Sequence, residues 1–251
     1  MRCLNMLFIV MAVILSSLVA HNLIGCRGEE ECATAADCDE GLVCKFGDCI
    51  PDTCVDPVTD PEDKSWHMLP DRNLRQAVRD LLGLPEDREL VYRDIQGMTE
   101  LDVANKNVSN ISGLQCFITL KKLYLDNNRV ANLSPLSGHP SLLELHLNEN
   151  RVSNLTPLAE ILQLQSLQLW KNHVANLKPL SGLLELSTLN LAENNISNLE
   201  ALVENPGIGK GDLVDLKGNS LDCQAQGSNI EELRSRGATV FTDCDKDDDG
   251  N

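Results

Sequence analysis

The residue types that most often carry chemistry are present in this chain, but not in the spacings that chemistry needs. Its five histidines stand at 21, 67, 139, 146 and 173, and none belongs to an H-E-x-x-H or comparable zinc-ligand pattern. No G-x-S-x-G nucleophile turn occurs. The stretch Asn205-Pro-Gly-Ile-Gly-Lys-Gly-Asp212 is glycine-rich, but no Ser or Thr follows the lysine to hold a magnesium ion, so it reads as a loop and not as a phosphate cradle. The end, Asp245 to Asn251, opens as D-x-D-x-D-G. It lacks the distal glutamate of a calcium loop and reads as an ordinary acidic tail. No catalytic residue, no metal and no cofactor are therefore expected. A hydrolase using His146 and nearby acids is the remote alternative.

Cysteine is the exception. Ten occur, and that number points to an oxidising compartment. Cys32, Cys38, Cys44, Cys49 and Cys54 follow one another at intervals of five or six residues, among small and polar neighbours. Such a segment cannot bury a core, so cross-links must substitute for one. It has no C-x2-C pair and no histidine, which argues against zinc. Spacing leaves the connectivity open. The pairing favoured here is Cys32–Cys44 and Cys38–Cys49, with Cys54 left to pair with Cys116. Cys223 and Cys244 bracket the last structured unit and are expected to bridge.

The elements that must position these residues follow from a repeat. From Met98 to Leu221 the chain stacks in rows of twenty-two, starting at Met98, Leu120, Leu142, Leu164 and Leu186, with a partial row after them. Within a row, apolar residues recur at places one, four, six, eleven, fourteen and seventeen. Place nine is an asparagine, giving the ladder Asn128, Asn150, Asn172, Asn194 and Asn219. Row one carries Lys106 there. A period of this size is that of a solenoid. Alternation predicts a strand over places three to seven, with places four and six inside and three, five and seven outside. The asparagine amide is expected to satisfy turn backbone, a structural role. Pro135, Pro157 and Pro179 forbid a long helix on the opposite side and predict 3-10 or extended turns.

An open solenoid end needs a cover. Residues 70–82 predict an amphipathic helix with Asp71 as N-cap and Gly83 as its stop, followed by a helical turn around Val91–Gln96. At the other end Ser228 to Glu231 reads as a capping box opening a helix that stops at Gly237, before a last strand at Val240 and Phe241.

Rows of twenty-two with N-x-[VI]-x-N-L-x-P-L, as in Asn128 to Leu136 and Asn150 to Leu158, resemble the internalin-type bacterial leucine-rich repeats. The resemblance spans residues 66–244. It implies an α/β solenoid arc with a parallel concave β-sheet, a helical N-cap and a C-terminal cap. It also implies a sheet face that binds other proteins. No matched position carries a catalytic role.

The start of the chain has Arg2, an apolar run from Leu4 to Ala20 and the ending Leu23-Ile24-Gly25-Cys26. This is a secretory signal, and its ending resembles the lipobox of bacterial lipoproteins, which implies lipidation at Cys26. The expected order is a signal peptide over 1–25, a small disulfide-rich module over 26–54 and an acidic linker over 55–65. A helical N-cap over 66–97, the repeats over 98–221, the C-cap over 222–244 and the tail over 245–251 follow. The expected place is the bacterial cell envelope, outside the cytoplasm, lipid-anchored at the outer membrane or cell surface. The Asn-x-Ser/Thr triplets at Asn110, Asn132 and Asn154 follow from the repeat itself and are not read as glycosylation sites.

What remains for function is the outward set between the leucines. Aromatics make up only 3% of the chain, yet Tyr124 and Trp170 fall at outward places, and aromatic residues are enriched at binding hot spots. His146 and Gln168 stand with them, and Asp126 and Glu144 lie among them. The expected partner is another protein with a basic surface, bound by a monomer. The net charge of −17 excludes the Lys/Arg footprint of a nucleic-acid binder. An envelope protein whose repeats only pack, with no ligand, is the alternative.

Overall fold

The computed structural model describes residues 42–45, 48–51, 69–85, 88 and 90–245. The chain forms two compact units, Met1–Val55 and Asp56–Asn251. In the first, β1 (Leu42–Lys45) and β2 (Asp48–Pro51) pair as an antiparallel hairpin with Cys44 opposite Cys49. The signal segment, Cys26, Cys32, Cys38, Cys54, the acidic linker and the tail beyond Asp245 lie outside the described residues.

The second unit begins with α1 (Arg72–Leu82), which buries Leu74, Ala77 and Val78 and ends at Gly83 in the left-handed region. Its N-cap does two jobs. Asp71 Oδ1 accepts from the N–H groups of Asn73 and Leu74, while Oδ2 accepts from Ser109 N–H and Oγ–H and from Asn110 N–H. Burial alone would raise this carboxyl, but the hydrogen bonds from Ser109, Asn110 and Leu74 outweigh it and hold the group below its ordinary value. One carboxylate thus caps the helix and ties it to row one. The short α2 (Tyr92–Ile95) leads into the repeats.

The rows supply β3 (Glu100–Asp102), β4 (Lys122–Tyr124), β5 (Glu144–His146), β6 (Ser166–Gln168), β7 (Thr188–Asn190), β8 (Leu213–Asp215) and β9 (Thr239–Phe241). They form one parallel sheet in chain order. Lys122 lies beside Glu144, Glu144 beside Ser166 and Ser166 beside Thr188, so each place of a row falls into a column. The leucines at places four and six are buried in row after row, as Leu123, Leu125, Leu145, Leu147, Leu167 and Leu169 illustrate.

The strands are shorter than the alternation predicts, covering places three to five instead of three to seven. Place six still donates across the ladder, as in Leu125 N–H to His146 O at 2.8 Å. Place seven has left it: the Asn148 N–H donates to the Asp126 carboxylate at 2.7 Å. Place eight then turns the chain through positive φ at Asn105, Asn127, Glu149, Lys171 and Glu193.

The asparagine ladder joins rows as well as closing turns. Asn150 Nδ2 donates to Leu147 O and Asn148 O in its own row and to Leu125 O in the row before. Its Oδ1 accepts from Val130 N–H, also in the row before. Asn128, Asn172, Asn194 and Asn219 repeat the pattern. Each amide therefore serves the preceding row, and row one has no such row to serve. Lys106 at its place nine is accounted for.

On the far side, 3-10 turns cover Ser134–Leu136, Thr156–Leu158 and Lys178–Leu180, each with proline inside. Row five has Ala201 at the proline's place, and there the turn becomes α-helical as α3 (Glu200–Val203). The glycine-rich loop that follows packs tightly. Asn205 is fully buried and donates to Leu180 O and Leu183 O. A Cβ on Gly207 would lie 2.1 Å from Leu184 O, so this glycine is required by close backbone approach.

The C-cap corrects one expectation. Its helix, α4, runs Cys223–Ser235 and starts at Asp222, whose side chain accepts from Gln224 and Ala225 N–H. It does not start at Ser228, because the stronger cap lies upstream and Ser228 falls inside the helix. Ile230 and Leu233 cover the last rows. Arg234 donates to Val240 O at 2.7 Å and to the Asp245 carboxylate at 2.7 and 2.9 Å, which covers the edge of β9 against strand addition. Cys223 and Cys244 are bridged, with Cα atoms 5.2 Å apart. Their separation of 21 residues implies about 3 kcal/mol of stabilisation from the closed loop. The double variant Cys223→Ser/Cys244→Ser is expected to lower the unfolding free energy of the repeat unit, read from the urea midpoint at unchanged m-value, by that amount while keeping its far-UV circular dichroism. Cys116 is buried and disulfide-bonded; the cysteine expected opposite it, Cys54, lies outside the described residues.

Candidate binding face

The concave columns place the outward residues side by side. Place five reads Asp102, Tyr124, His146, Gln168, Asn190, Asp215 and Phe241 along the sheet. Place three, beside it, begins Glu100, Lys122, Glu144.

Tyr124 and His146, neighbours on β4 and β5, meet edge to face with ring centroids 4.7 Å apart. Glu144 pairs with Lys122 at 2.9 Å. Burial, reinforced by Glu144 and Glu100 against the opposing effect of Lys122, holds the Tyr124 phenol above its ordinary value. The Glu144 hydrogen bond and charge likewise raise Lys122. Asp126 uses one carboxylate oxygen on Asn148 N–H, and its other oxygen stands 3.8 Å from His146 Nδ1. Five residues from two adjacent rows thus stand side by side on neighbouring strands: a tyrosine, an imidazole, two carboxylates and a lysine.

Gln168 and Trp170 sit differently. Gln168 donates to Ser166 Oγ at 3.2 Å. The Trp170 ring lies under Lys171 Nζ at 5.3 Å, and Lys171 in turn bonds Glu149 at 2.9 Å. The aromatic patch expected as one unit is therefore two groups. The cause is local: Lys171 sits at the left-handed place eight next to Trp170 and supplies the cation that the indole attracts. Nothing in a strict alternation of sides signals that contact.

The face is acidic. Glu100, Asp102, Asp126, Glu144, Asp215 and Asp243 project on it or its rim, while Lys122 is engaged by Glu144 and Lys217 lies over the Phe241 ring at 5.5 Å. Among the described residues no group of His, Cys, Asp and Glu could hold a metal ion, and no helix is long and apolar enough to cross a membrane. His139, at place twenty of row two, is not on this face; it is buried on the far side.

Residues 118–160 match the family model for leucine-rich repeats in two copies. No curated protein matches the chain. Among solved structures, an internalin (InlF) of Listeria monocytogenes strain 4b F2365 is 24% identical with a TM-score of 0.54, over 69% of this chain and 56% of that one. The functional domain of InlJ from Listeria monocytogenes, which includes a cysteine ladder, is 21% identical with a TM-score of 0.50, over 61% of this chain and 38% of that one. The chain thus spans little more than half the length of the first and well under half of the second. These likenesses, the seven-stranded parallel sheet and the Cys223–Cys244 bridge give the fold: a leucine-rich repeat solenoid arc with a disulfide-closed C-cap.

Proposed function

We propose that the chain is a protein-binding module of the bacterial cell envelope whose concave face takes a partner with a basic surface. The observation that carries this is the Tyr124–His146 ring contact set between Glu144 and Asp126, in a chain with only two tyrosines and two tryptophans. A half-exposed aromatic pair ringed by carboxylates offers apolar area and negative charge together, which suits an arginine- or lysine-bearing partner. Trp170 with Lys171 and Glu149 forms a second contact on the same side, and Gln168 lies between.

The Cys223–Cys244 bridge supports a compartment outside the cytoplasm. The signal segment and lipobox support an anchor at Cys26, with the cysteine-rich module and acidic linker lying between it and the repeat domain in chain order.

A photo-crosslinking residue at His146, introduced in cells of the native host, tests the reading. One major protein adduct is expected. The adduct should fall about tenfold or more with Tyr124→Ala, consistent with a hot-spot loss of ~2 kcal/mol. Raising NaCl from about 50 to about 500 mM should weaken capture by purified protein. Capture indifferent to Tyr124→Ala and Trp170→Ala together would sink the assignment of this face.

A further inference from the structure

The two ends of the sheet are finished differently. In each strand after β3 the first N–H donates back to the row before, as Lys122 does to Thr99 O, Ser166 to Leu143 O and Thr239 to Asp212 O. The place-five carbonyl likewise accepts from the row before, as Tyr124 O does from Val103 N–H and Phe241 O from Leu216 N–H. Row one has no row before it. Glu100 N–H and Asp102 O therefore point away from β4. So do Glu100 O and Asp102 N–H, because both backbone groups of a strand residue face the same way. Among the described residues none of the four meets a hydrogen-bond partner on that side. The helices α1 and α2 bury the apolar end of row one but leave Glu100 and Asp102 exposed. At the far end, by contrast, Val240 O on the outer side of β9 is taken by Arg234.

An open edge is a template for another strand, and its side chains decide which strand. Glu100 and Asp102 share the concave side of β3, with Leu101 buried between them. The nearest cation, Lys122, is held by Glu144 at 2.9 Å, so the Glu100 carboxylate has no ion-pair or hydrogen-bond partner among the described residues. Asp102 uses Oδ1 on Ala104 N–H at 3.0 Å, which leaves Oδ2. A strand laid against β3 brings alternate side chains beside these two carboxylates, with Cβ atoms about 5 Å apart. The β3 strand of a second copy would bring four carboxylates together, so the edge is closed to self-pairing. A strand with a cation at two alternate positions meets both carboxylates.

From the four open backbone groups and the two carboxylates we infer that β3 is a strand-addition site for an extended protein segment with Lys or Arg at positions i and i+2. The segment becomes an eighth strand beside the seven of the sheet. Main-chain bonds to residues 100 and 102 supply affinity, and the two carboxylates select the sequence. The site is the edge of the sheet and not its face. It does not rest on the Tyr124–His146 pair and stands even if that pair binds nothing.

Amide hydrogen exchange of the full-length chain, read residue by residue by NMR, is the test. In the free protein the Val103 amide, bonded to Tyr124 O, should be protected, while the amides of Glu100 and Asp102 exchange freely. The probe is the peptide acetyl-Thr-Lys-Val-Lys-Thr-amide at up to about 5 mM. It should slow exchange at Glu100 and Asp102. The control acetyl-Thr-Val-Lys-Lys-Thr-amide has the same composition but sends its lysines to opposite faces. It should bind at least about tenfold more weakly, and Glu100→Lys should weaken the first peptide by a similar factor. Glu160→Lys makes the same charge change at an exposed residue two rows away and should leave binding unchanged. Glu100 and Asp102 amides already protected in the free chain would mean that another of its own segments holds the edge, and would overturn the inference. So would equal binding of the two peptides, equal losses in the two variants, or exchange at Glu100 and Asp102 that the first peptide does not slow.

Discussion

Asn150→Ala should lower the stability of the repeat domain by about 3–4 kcal/mol, read from the urea midpoint at unchanged m-value. The amount follows from which partners are left without a replacement. Leu125 O also accepts from Asn128 Nδ2, Leu147 O from Asn172 Nδ2, and Asn148 O from Asn127 N–H. These carbonyls stay partly satisfied. Val130 N–H does not: its acceptor is Asn150 Oδ1 at 2.9 Å, in a buried setting. An orphaned buried donor costs about 1–3 kcal/mol, and the lost carbonyl bonds and vacated volume add the rest. Asn150→Asp keeps an acceptor for Val130 but turns a carboxylate oxygen toward three carbonyls, so it should cost at least as much at neutral pH. Lys106→Ala, at place nine of row one, should change stability by less than about 0.5 kcal/mol, since no preceding row depends on it. Equal effects at Asn150 and Lys106 would show that the ladder does not join rows.

That contrast shows what was legible in the residues. The leucines and asparagines report their own burial, because a place that must be apolar or must be an amide admits little else. The direction in which the amide reaches is not written in the period, and so Lys106 stands as a bare exception until the bonds to the preceding row are seen. The C-cap helix was misplaced for a related reason. Ser228 and Glu231 have the spacing of a capping box, and spacing cannot rank that signal against Asp222, which sits directly after a repeat residue and looks like part of the row. On the concave face, the column containing Tyr124 and His146 follows from the register alone. Their separation from Trp170 does not, since it depends on the left-handed backbone of Lys171 and on the reach of that lysine to Glu149. Gly207 was read as a loop glycine; its need arises from the Leu184 backbone, a contact across rows that no local pattern encodes.

His139 carries the other large effect, and it depends on pH. It stands at place twenty, where Phe117, Ile161 and Leu183 stand in other rows, and it is buried. Nε2 lies 3.1 Å from Phe117 O, and Nδ1 accepts from Ser141 N–H at 3.4 Å. These contacts suit a neutral ring protonated on Nε2. A second proton would face the Ser141 N–H, a donor against a donor. Burial accordingly lowers the pKa from 6.5 to about 4, with the Phe117 carbonyl opposing it only in part. Between these two values the unfolded chain binds a proton that the folded chain does not. Stability is therefore intact above pH 6.5 and is lost as pH falls toward 4. The loss should be about 1.4 kcal/mol at pH 5.5 and about 3 kcal/mol at pH 4. Asp71, whose carboxyl is held below its ordinary 3.8, adds its own loss only at lower pH, so the two windows separate. His139→Leu, which copies Leu183, should flatten the profile between pH 6.5 and 4 while leaving the fall below it. Urea midpoints of both proteins at pH 7.5, 5.5 and 4 decide the matter. Parallel profiles would mean that some other group governs the acid response and that the His139 ring takes its second proton within the fold.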